Sequence, residues 1–197
     1  MYNKPVCENI EFWHAAYMGA DMLVNLSDVL TVEGKTETAE LTLQMQSFSN
    51  GTDTYPVKEM SPVSFTFTNV GKGKARIQGG CRFLFAAACD RCLADVELPL
   101  ALSFDRTVLS PDAVAEDEDA QDDDQTFMDG YELDVEAFVY DEIIVNWPVK
   151  ILCKEDCKGV CPVCGQNRNE RECGCDTFVP DPRMAVIKDI FNANKEV

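Results

Sequence analysis

The chain has little of what enzymes and nucleic-acid-binding proteins commonly rely on. It carries a single histidine, His14, so only one residue is available for acid–base catalysis by imidazole. Positive charge is also scarce, with 17 lysines and arginines against 35 aspartates and glutamates and a net charge of −18. Phosphate groups repel such a chain, which disfavours broad electrostatic binding to nucleic acid. Phosphate-binding-loop, nucleophile-elbow and zinc-protease motifs are absent from the sequence. We therefore expect a protein that is not an enzyme.

Long apolar runs are missing as well. No stretch approaches the roughly 20 apolar residues that cross a bilayer. The N-terminus has neither the basic start nor the apolar centre of a secretory signal. We expect a cytoplasmic protein that does not associate with membranes, in a compartment where thiols stay reduced. The periodic apolar pattern begins only at Met22. Residues 1–21 are therefore expected to be unstructured, or absent from the natural protein with translation starting at Met22.

Cysteine, by contrast, is abundant: the chain has ten, and six of them lie between Cys153 and Cys175. In a reducing compartment, clustered cysteines bind metal more often than they pair as disulfides. Cys161 and Cys164 stand two residues apart in a Cys-Pro-Val-Cys-Gly turn, and Cys173 and Cys175 follow a short polar loop. Four such thiolates satisfy a closed tetrahedral zinc site. A redox dithiol or an iron–sulfur cluster would also use these residues, but the surrounding pattern and the spacing fit those alternatives less well.

A second set of cysteines has no local partners. Cys153 and Cys157 lie in the tail but are not needed for the first site. Cys89 and Cys92 form a Cys-Asp-Arg-Cys pair far upstream. Together they predict a second structural zinc site that ties the middle of the chain to its tail; alternatively, the upstream pair is a strand end with buried thiols. Cys81 alternates with aromatic residues and is interpreted as a core thiol. The predicted ligands of two structural zinc ions are thus Cys89, Cys92, Cys153 and Cys157 for one, and Cys161, Cys164, Cys173 and Cys175 for the other.

The remaining pattern favours an α+β fold built on an antiparallel β-sheet or a small open barrel. Strands are predicted over 37–48, 61–70, 74–89 and 94–109, since apolar and polar residues alternate there and polar turns separate the runs. An acidic loop, a helix, the cysteine-rich zinc knuckle and a C-terminal helix should follow. The expected boundaries are 1–21 for the extension, 22–110 for the β domain with its knuckle, 111–133 for the acidic flexible loop and 134–197 for the helical and cysteine-rich part.

Two helices are expected in the last part. The first is capped by Asp134, carries an apolar stripe that includes Phe138, and stops at Pro148. The second begins at Asp181 and Pro182, a cap followed by proline at the first helical position.

The acidic segment accounts for much of the net charge. No lysine or arginine occurs between Arg106 and Lys150. Carboxylates in such a segment have no apolar frame to hold them, so a catalytic role is less favoured than a solvated loop. A loop of this kind can attract a basic partner by complementary charge.

The combination of motifs resembles the YceD family, the large ribosomal RNA subunit accumulation proteins. The resemblance rests on "CDRCL", the acidic loop, "DVEAFVYDEIIVNWP", the cysteine tail and the closing "DPR", and runs from about Met22 to the end. Carried over by motif, Leu93 and the eight cysteines named above match the family pattern. One departure is Arg168, which stands where an apolar residue is expected and puts local packing in doubt.

The resemblance implies a bacterial or plastid factor for synthesis, processing or stability of 23S ribosomal RNA. Its expected partners are the large-subunit ribosomal RNA precursor, a basic ribosomal protein, or both. Direct RNA contact would need a basic face, for which the candidates are Lys58, Lys72, Lys74, Arg76, Arg82, Arg91 and Arg106. A third alternative is a metal-dependent nuclease that holds magnesium on the acidic loop.

Overall fold

The computed structural model describes residues 22–116 and 125–176. These residues divide between two compact units. The sheet unit takes its described residues from 22–87, 97–116 and 125–149. The cysteine unit takes them from 88–96 and 150–176. The predicted N-terminal extension and the predicted C-terminal helix lie outside the described residues.

The elements follow one another as β1 (Leu23–Asn25), α1 (Ser27–Thr31), β2 (Thr36–Leu41), β3 (Ser47–Ser49), β4 (Thr54–Met60), β5 (Val63–Gly71), β6 (Lys74–Ala88), β7 (Asp95–Leu109), α2 (Pro111–Glu116), β8 (Met128–Asp129), β9 (Glu132–Asp134) and α3 (Val135–Asn146).

The main sheet is antiparallel and open, with β6 at its centre. Its order is β2-β5-β6-β4-β3, and β7 also pairs with β6. A strand has only two edges, so β5 and β4 lie end to end along one edge of β6 and β7 takes the other. Ser61, between β4 and β5, still donates its N–H to Arg82 O at 2.9 Å. The prediction of an antiparallel sheet is confirmed, and no closed barrel forms among residues 22–116 and 125–176.

Close strand contact explains one glycine in β6. A Cβ on Gly79 would lie 1.9 Å from the backbone oxygen of Ser64 on β5. No side chain can occupy that position unless the strands separate, so glycine allows β5 and β6 to pair here.

One face of the main sheet is buried and the other is polar and open. Along β6, Ala75, Ile77, Cys81, Phe83 and Phe85 are buried, and the alternate side chains face outward. This period of two matches the pattern from which the strand was predicted. Cys81 is 6% exposed, as its interpretation as a core thiol requires, and burial raises its pKa to about 11.

Helix α3 covers the buried face. Its N-cap is Asp134, whose side chain accepts from Ala137 N at 3.0 Å, so the predicted cap is confirmed. Phe138 packs edge-on against Phe104 of β7. Glu142 of the same helix is 5% exposed and accepts from Arg106 Nε at 2.7 Å.

A small sheet in the order β1-β9-β8 adds to the same core. It revises the expectation of a flexible loop throughout 111–133, because α2 and the strands β8 and β9 occupy parts of that range. Leu133 is fully buried, and Phe127 and Met128 pack against the core. Burial of these apolar side chains stabilises the folded conformation at the end of the acidic segment. Residues 117–124, which carry most of its charge, lie outside the described residues.

Candidate metal centres in the cysteine unit

The cysteine unit brings together the two sets of four cysteines that the sequence predicted. Within each set, the sulfur atoms all lie within 4.8 Å of one another. We name them cluster 1 (Cys89, Cys92, Cys153 and Cys157) and cluster 2 (Cys161, Cys164, Cys173 and Cys175). All eight thiols are free, so neither cluster contains a disulfide. Each cluster could hold a metal ion.

Backbone pairing positions the two halves of cluster 1. The turn that connects β6 to β7 carries Cys89 and Cys92, as predicted. Asp90 in this turn donates its N–H to Ile151 O at 2.8 Å and accepts from Ile151 N at 2.7 Å through its carboxylate. This two-way contact holds the turn beside the segment that begins the tail, and so brings Cys153 to the upstream pair.

Arg91 fixes the second half of the same cluster. Its guanidinium donates to Cys157 O at 2.9 Å, and its own carbonyl accepts from Val160 N at 2.9 Å. Gly159 has φ +73°, and a Cβ there would lie 2.9 Å from Arg91 O. A glycine is therefore needed both for the backbone conformation and for the close approach of the two segments.

The sulfur spacing in cluster 1 is too long for covalent bonds and short enough for a shared ion. Cys89 Sγ lies 3.8 Å from Cys157 Sγ, and Cys92 Sγ lies 3.6 Å from Cys153 Sγ. A disulfide would require about 2.05 Å. Cys89, Cys92 and Cys157 are buried and form a small core with Val96 and Leu152, while Cys153 is exposed.

Cluster 2 is local and more open. Cys161 N donates to Gln166 O at 2.9 Å, and Gly165 N donates back to Cys161 O at 2.8 Å, which closes the turn. Cys161 is buried, Cys164 is exposed, and Cys173 and Cys175 are half-buried. Solvent therefore reaches cluster 2 more readily than cluster 1.

The thiols within each cluster differ in pKa. The backbone N–H groups of Cys164 and Val163 lower the pKa of Cys161 to about 6, whereas hydrogen bonds with Cys164 and Cys173 raise the pKa of Cys175 to about 12. In cluster 1, burial opposes ionisation of Cys89, but the N–H groups of Cys153, Arg91 and Cys92 lower its pKa to about 6. Burial raises the pKa of Cys153 to about 12, so each cluster combines a thiol of lowered pKa with a thiol of raised pKa. A bound metal cation would displace the thiol protons.

Asn169 is a site residue that the spacing of the cysteines did not reveal. Its amide nitrogen lies 3.3 Å from Cys157 Sγ of cluster 1. The polar loop between Cys164 and Cys173 was visible in the sequence, but its contact with the other cluster was not. Arg168, noted as a departure from the family pattern, has an exposed side chain, so this position requires no apolar packing here.

Three residues of the candidate basic face are paired with acidic neighbours in the sheet unit. Arg76 Nε donates to Asp105 at 2.6 Å, and Lys58 Nζ donates to Glu97 at 2.8 Å. Arg106 is paired with Glu142, as described above. Three of the seven cations proposed for an RNA-binding surface are therefore paired with carboxylates of the same unit.

The two units define a class: a small antiparallel β protein with an appended unit that carries two possible thiolate metal sites. A family model described as large ribosomal RNA subunit accumulation protein YceD matches residues 78–191, which is more than half of the chain. The chain belongs to the YceD family. The match begins in β6 rather than at Met22, where the resemblance was expected to start. No curated protein and no solved structure matches the chain. Among the described residues, no helix has the length and apolar character needed to span a membrane.

Proposed function

We propose that this protein is a non-catalytic cytoplasmic factor in large-subunit ribosome biogenesis, required for synthesis, processing or stability of 23S ribosomal RNA. Membership of the YceD family over residues 78–191 carries the proposal, because the family description names accumulation of the large ribosomal RNA. The single histidine supports a role without catalysis, because imidazole is the most common acid–base group in enzymes.

Each cluster is proposed to hold one structural zinc ion. With Zn–S bonds of about 2.3 Å in a tetrahedron, neighbouring sulfurs should be about 3.8 Å apart. The 3.8 and 3.6 Å separations in cluster 1 agree with that spacing. Soft thiolate ligands also suit zinc better than magnesium or calcium. Four thiolates would leave no open position for water or substrate, so zinc would serve here to hold the chain together.

The favoured partner is a basic protein, such as a free ribosomal protein, attracted by the acidic segment. Glutamate and aspartate supply seven of the nine residues between 116 and 124. Complementary charge of this kind speeds encounter and is screened by salt. Direct binding of ribosomal RNA precursor is the second candidate, and the ion pairs of Arg76, Lys58 and Arg106 weaken it. A magnesium-dependent nuclease is the third.

Depletion of the protein is expected to lower the ratio of large-subunit to small-subunit ribosomal RNA. Ribosomal RNA from depleted cells is quantified and compared with that of cells rescued by the wild-type chain. An unchanged ratio after complete depletion would refute the proposed role. Purified protein should also leave large-subunit precursor RNA intact in magnesium, and specific cleavage would favour the nuclease instead.

Neutralising the acidic segment is expected to weaken capture of the basic partner. The variant changes each acidic side chain to its amide at Glu116, Asp117, Glu118, Asp119, Asp122, Asp123 and Asp124. We expect at least about tenfold weaker binding at low salt and a smaller difference at high salt, since the attraction is electrostatic. Pull-down from cells across a salt series measures this effect.

A matched control permutes the order of residues 116–124 and keeps their composition and charge. This permuted chain should bind as the wild type does. Equal binding by the neutralised chain at every salt concentration would show that the segment serves solubility and not recognition.

A further inference from the structure

We propose that Asn169 is a positioning residue that couples the two metal sites, so that metal in cluster 2 strengthens metal binding in cluster 1. The inference rests on the proposed zinc sites and not on the proposed role in ribosomal RNA accumulation. It adds to those sites a residue outside the ligand sets and a thermodynamic link between them.

The orientation of the Asn169 amide is fixed by its neighbours. Its oxygen accepts from Lys158 N at 2.9 Å. Because a backbone N–H can only donate, the amide oxygen must face Lys158, and the amide nitrogen then faces Cys157 Sγ at 3.3 Å. An amide N–H aimed at a metal-bound thiolate stabilises its negative charge and orients the ligand.

The amide is carried by a loop that belongs to the other cluster. This loop, residues 165–172, runs from Cys164 to Cys173, both of which are cluster 2 cysteines. Within it, Asn167 Oδ1 accepts from Asn169 N at 3.0 Å and from Asn169 Nδ2 at 2.9 Å. A backbone bridge joins Asn167 to Val160, which lies in the short segment between Cys157 of cluster 1 and Cys161 of cluster 2. Cluster 2 therefore anchors both ends of the loop that supplies a donor to cluster 1.

This connection predicts cooperative loading. Metal in cluster 2 would restrain the ends of the loop, so less conformational entropy would remain to be lost when Asn169 meets Cys157. Linkage requires the effect to be reciprocal: each metal raises the affinity of the other site by the same factor. Since cluster 2 is the more exposed of the two, it should release metal first, and cluster 1 should then weaken.

The test uses the full chain loaded with zinc and measures each cluster separately. Free zinc is lowered with metal buffers, and newly reactive thiols are alkylated and identified by peptide mass spectrometry. Cys92 and Cys153 report on cluster 1. Asn169→Ala should lower the zinc affinity of cluster 1 by about 10–100-fold, the usual cost of losing a partner to a metal ligand. Arg168→Lys, an exposed neighbour with unchanged charge, is the matched control and should bind as the wild type does.

Two further chains separate the donor from the loop and test the coupling. Asn169→Asp keeps an oxygen for Lys158 N but removes the donor to Cys157, so it should weaken cluster 1 at least as much as Asn169→Ala does. In a chain that also carries Cys173→Ser and Cys175→Ser, cluster 1 should already be weak. In that chain, Asn169→Ala should lower the zinc affinity of cluster 1 by less than about threefold further, because the loop that carries Asn169 has already lost its anchor.

Each contrary result has a distinct meaning. Fewer than two zinc ions per wild-type chain would refute the proposed sites and the coupling with them. Two zinc ions, with unchanged cluster 1 affinity in Asn169→Ala, would overturn the coupling and leave the sites standing. Loss in Asn169→Ala but not in Asn169→Asp would overturn the role of the amide donor. Equal losses in Arg168→Lys and Asn169→Ala would show a general effect of loop substitution and overturn the specific role of Asn169.

Discussion

Removal of zinc is expected to unfold the cysteine unit while the sheet unit stays folded. Structural zinc can contribute on the order of 10 kcal/mol to folding, as much as or more than the net stability of many domains. The core around cluster 1 consists of three cysteines with Val96 and Leu152, so little apolar burial would remain without metal. The sheet unit has its own large aromatic core and none of the clustered cysteines, so its stability should not depend on zinc.

Hydrogen exchange measured by mass spectrometry, before and after a strong chelator, distinguishes the two units. Amides in 88–96 and 150–176 should lose protection, whereas those in β5 should keep it. In separate variants, Cys161→Ser should remove about one equivalent of zinc from cluster 2, and Cys89→Ser should remove about one from cluster 1. Cys89→Ser should also free the turn that joins β6 to β7. Cys81→Ser is the control, because its thiol lies in the sheet core and belongs to neither cluster. Retained protection in both ranges after complete zinc removal would contradict the structural role.

Phe65→Ala is expected to destabilise the sheet unit by about 3–5 kcal/mol, as deletion of a buried phenylalanine usually does. Phe65 is 2% exposed, and its ring lies 5.4 Å from that of Phe67 and 5.3 Å from that of Phe104. It also faces Phe138 of α3 at 6.1 Å. The cavity would thus open where the helix packs against the sheet.

Urea denaturation followed by far-ultraviolet circular dichroism measures this loss, in the zinc-loaded protein so that the cysteine unit is unchanged. Thr66→Val, one residue along β5 and on the open face, keeps a β-branched side chain and should change stability by less than about 1 kcal/mol. If both variants unfold at the same urea concentration as the wild type, α3 does not depend on this aromatic contact.

The parts of the fold that were predictable are those with long, regular patterns. Alternation over nine to fifteen residues identified β5, β6 and β7, and Asp134 marked the start of α3. The predicted strand over 37–48 instead forms β2 and β3, with 42–46 between them. One strand was predicted because Leu43 and Met45 continue the alternation through the break. The strands β1, β8 and β9 have two or three residues each, too few to show a period.

The candidate site was predictable to the extent that it depends on residue type and spacing. Cysteine is chemically distinctive, so the two sets of four could be assembled from their positions along the chain. Asn169 could not be found in this way, because its role comes from a fold that places the loop of one cluster beside a ligand of the other. The lysines and arginines of the sheet region show another limit, since the sequence did not reveal that three of the seven candidates pair with carboxylates.

The distance along the chain between the two halves of cluster 1 has a consequence for protein synthesis. Cys92 and Cys153 are 61 residues apart. At about 5–20 residues per second, the ribosome would need roughly 3–12 seconds to make the intervening chain. During that interval Cys89 and Cys92 have no native partners, whereas the cysteines of cluster 2 follow one another almost at once. Cys89 and Cys92 must therefore stay as free thiols until the tail emerges, because a disulfide formed earlier would prevent assembly of cluster 1.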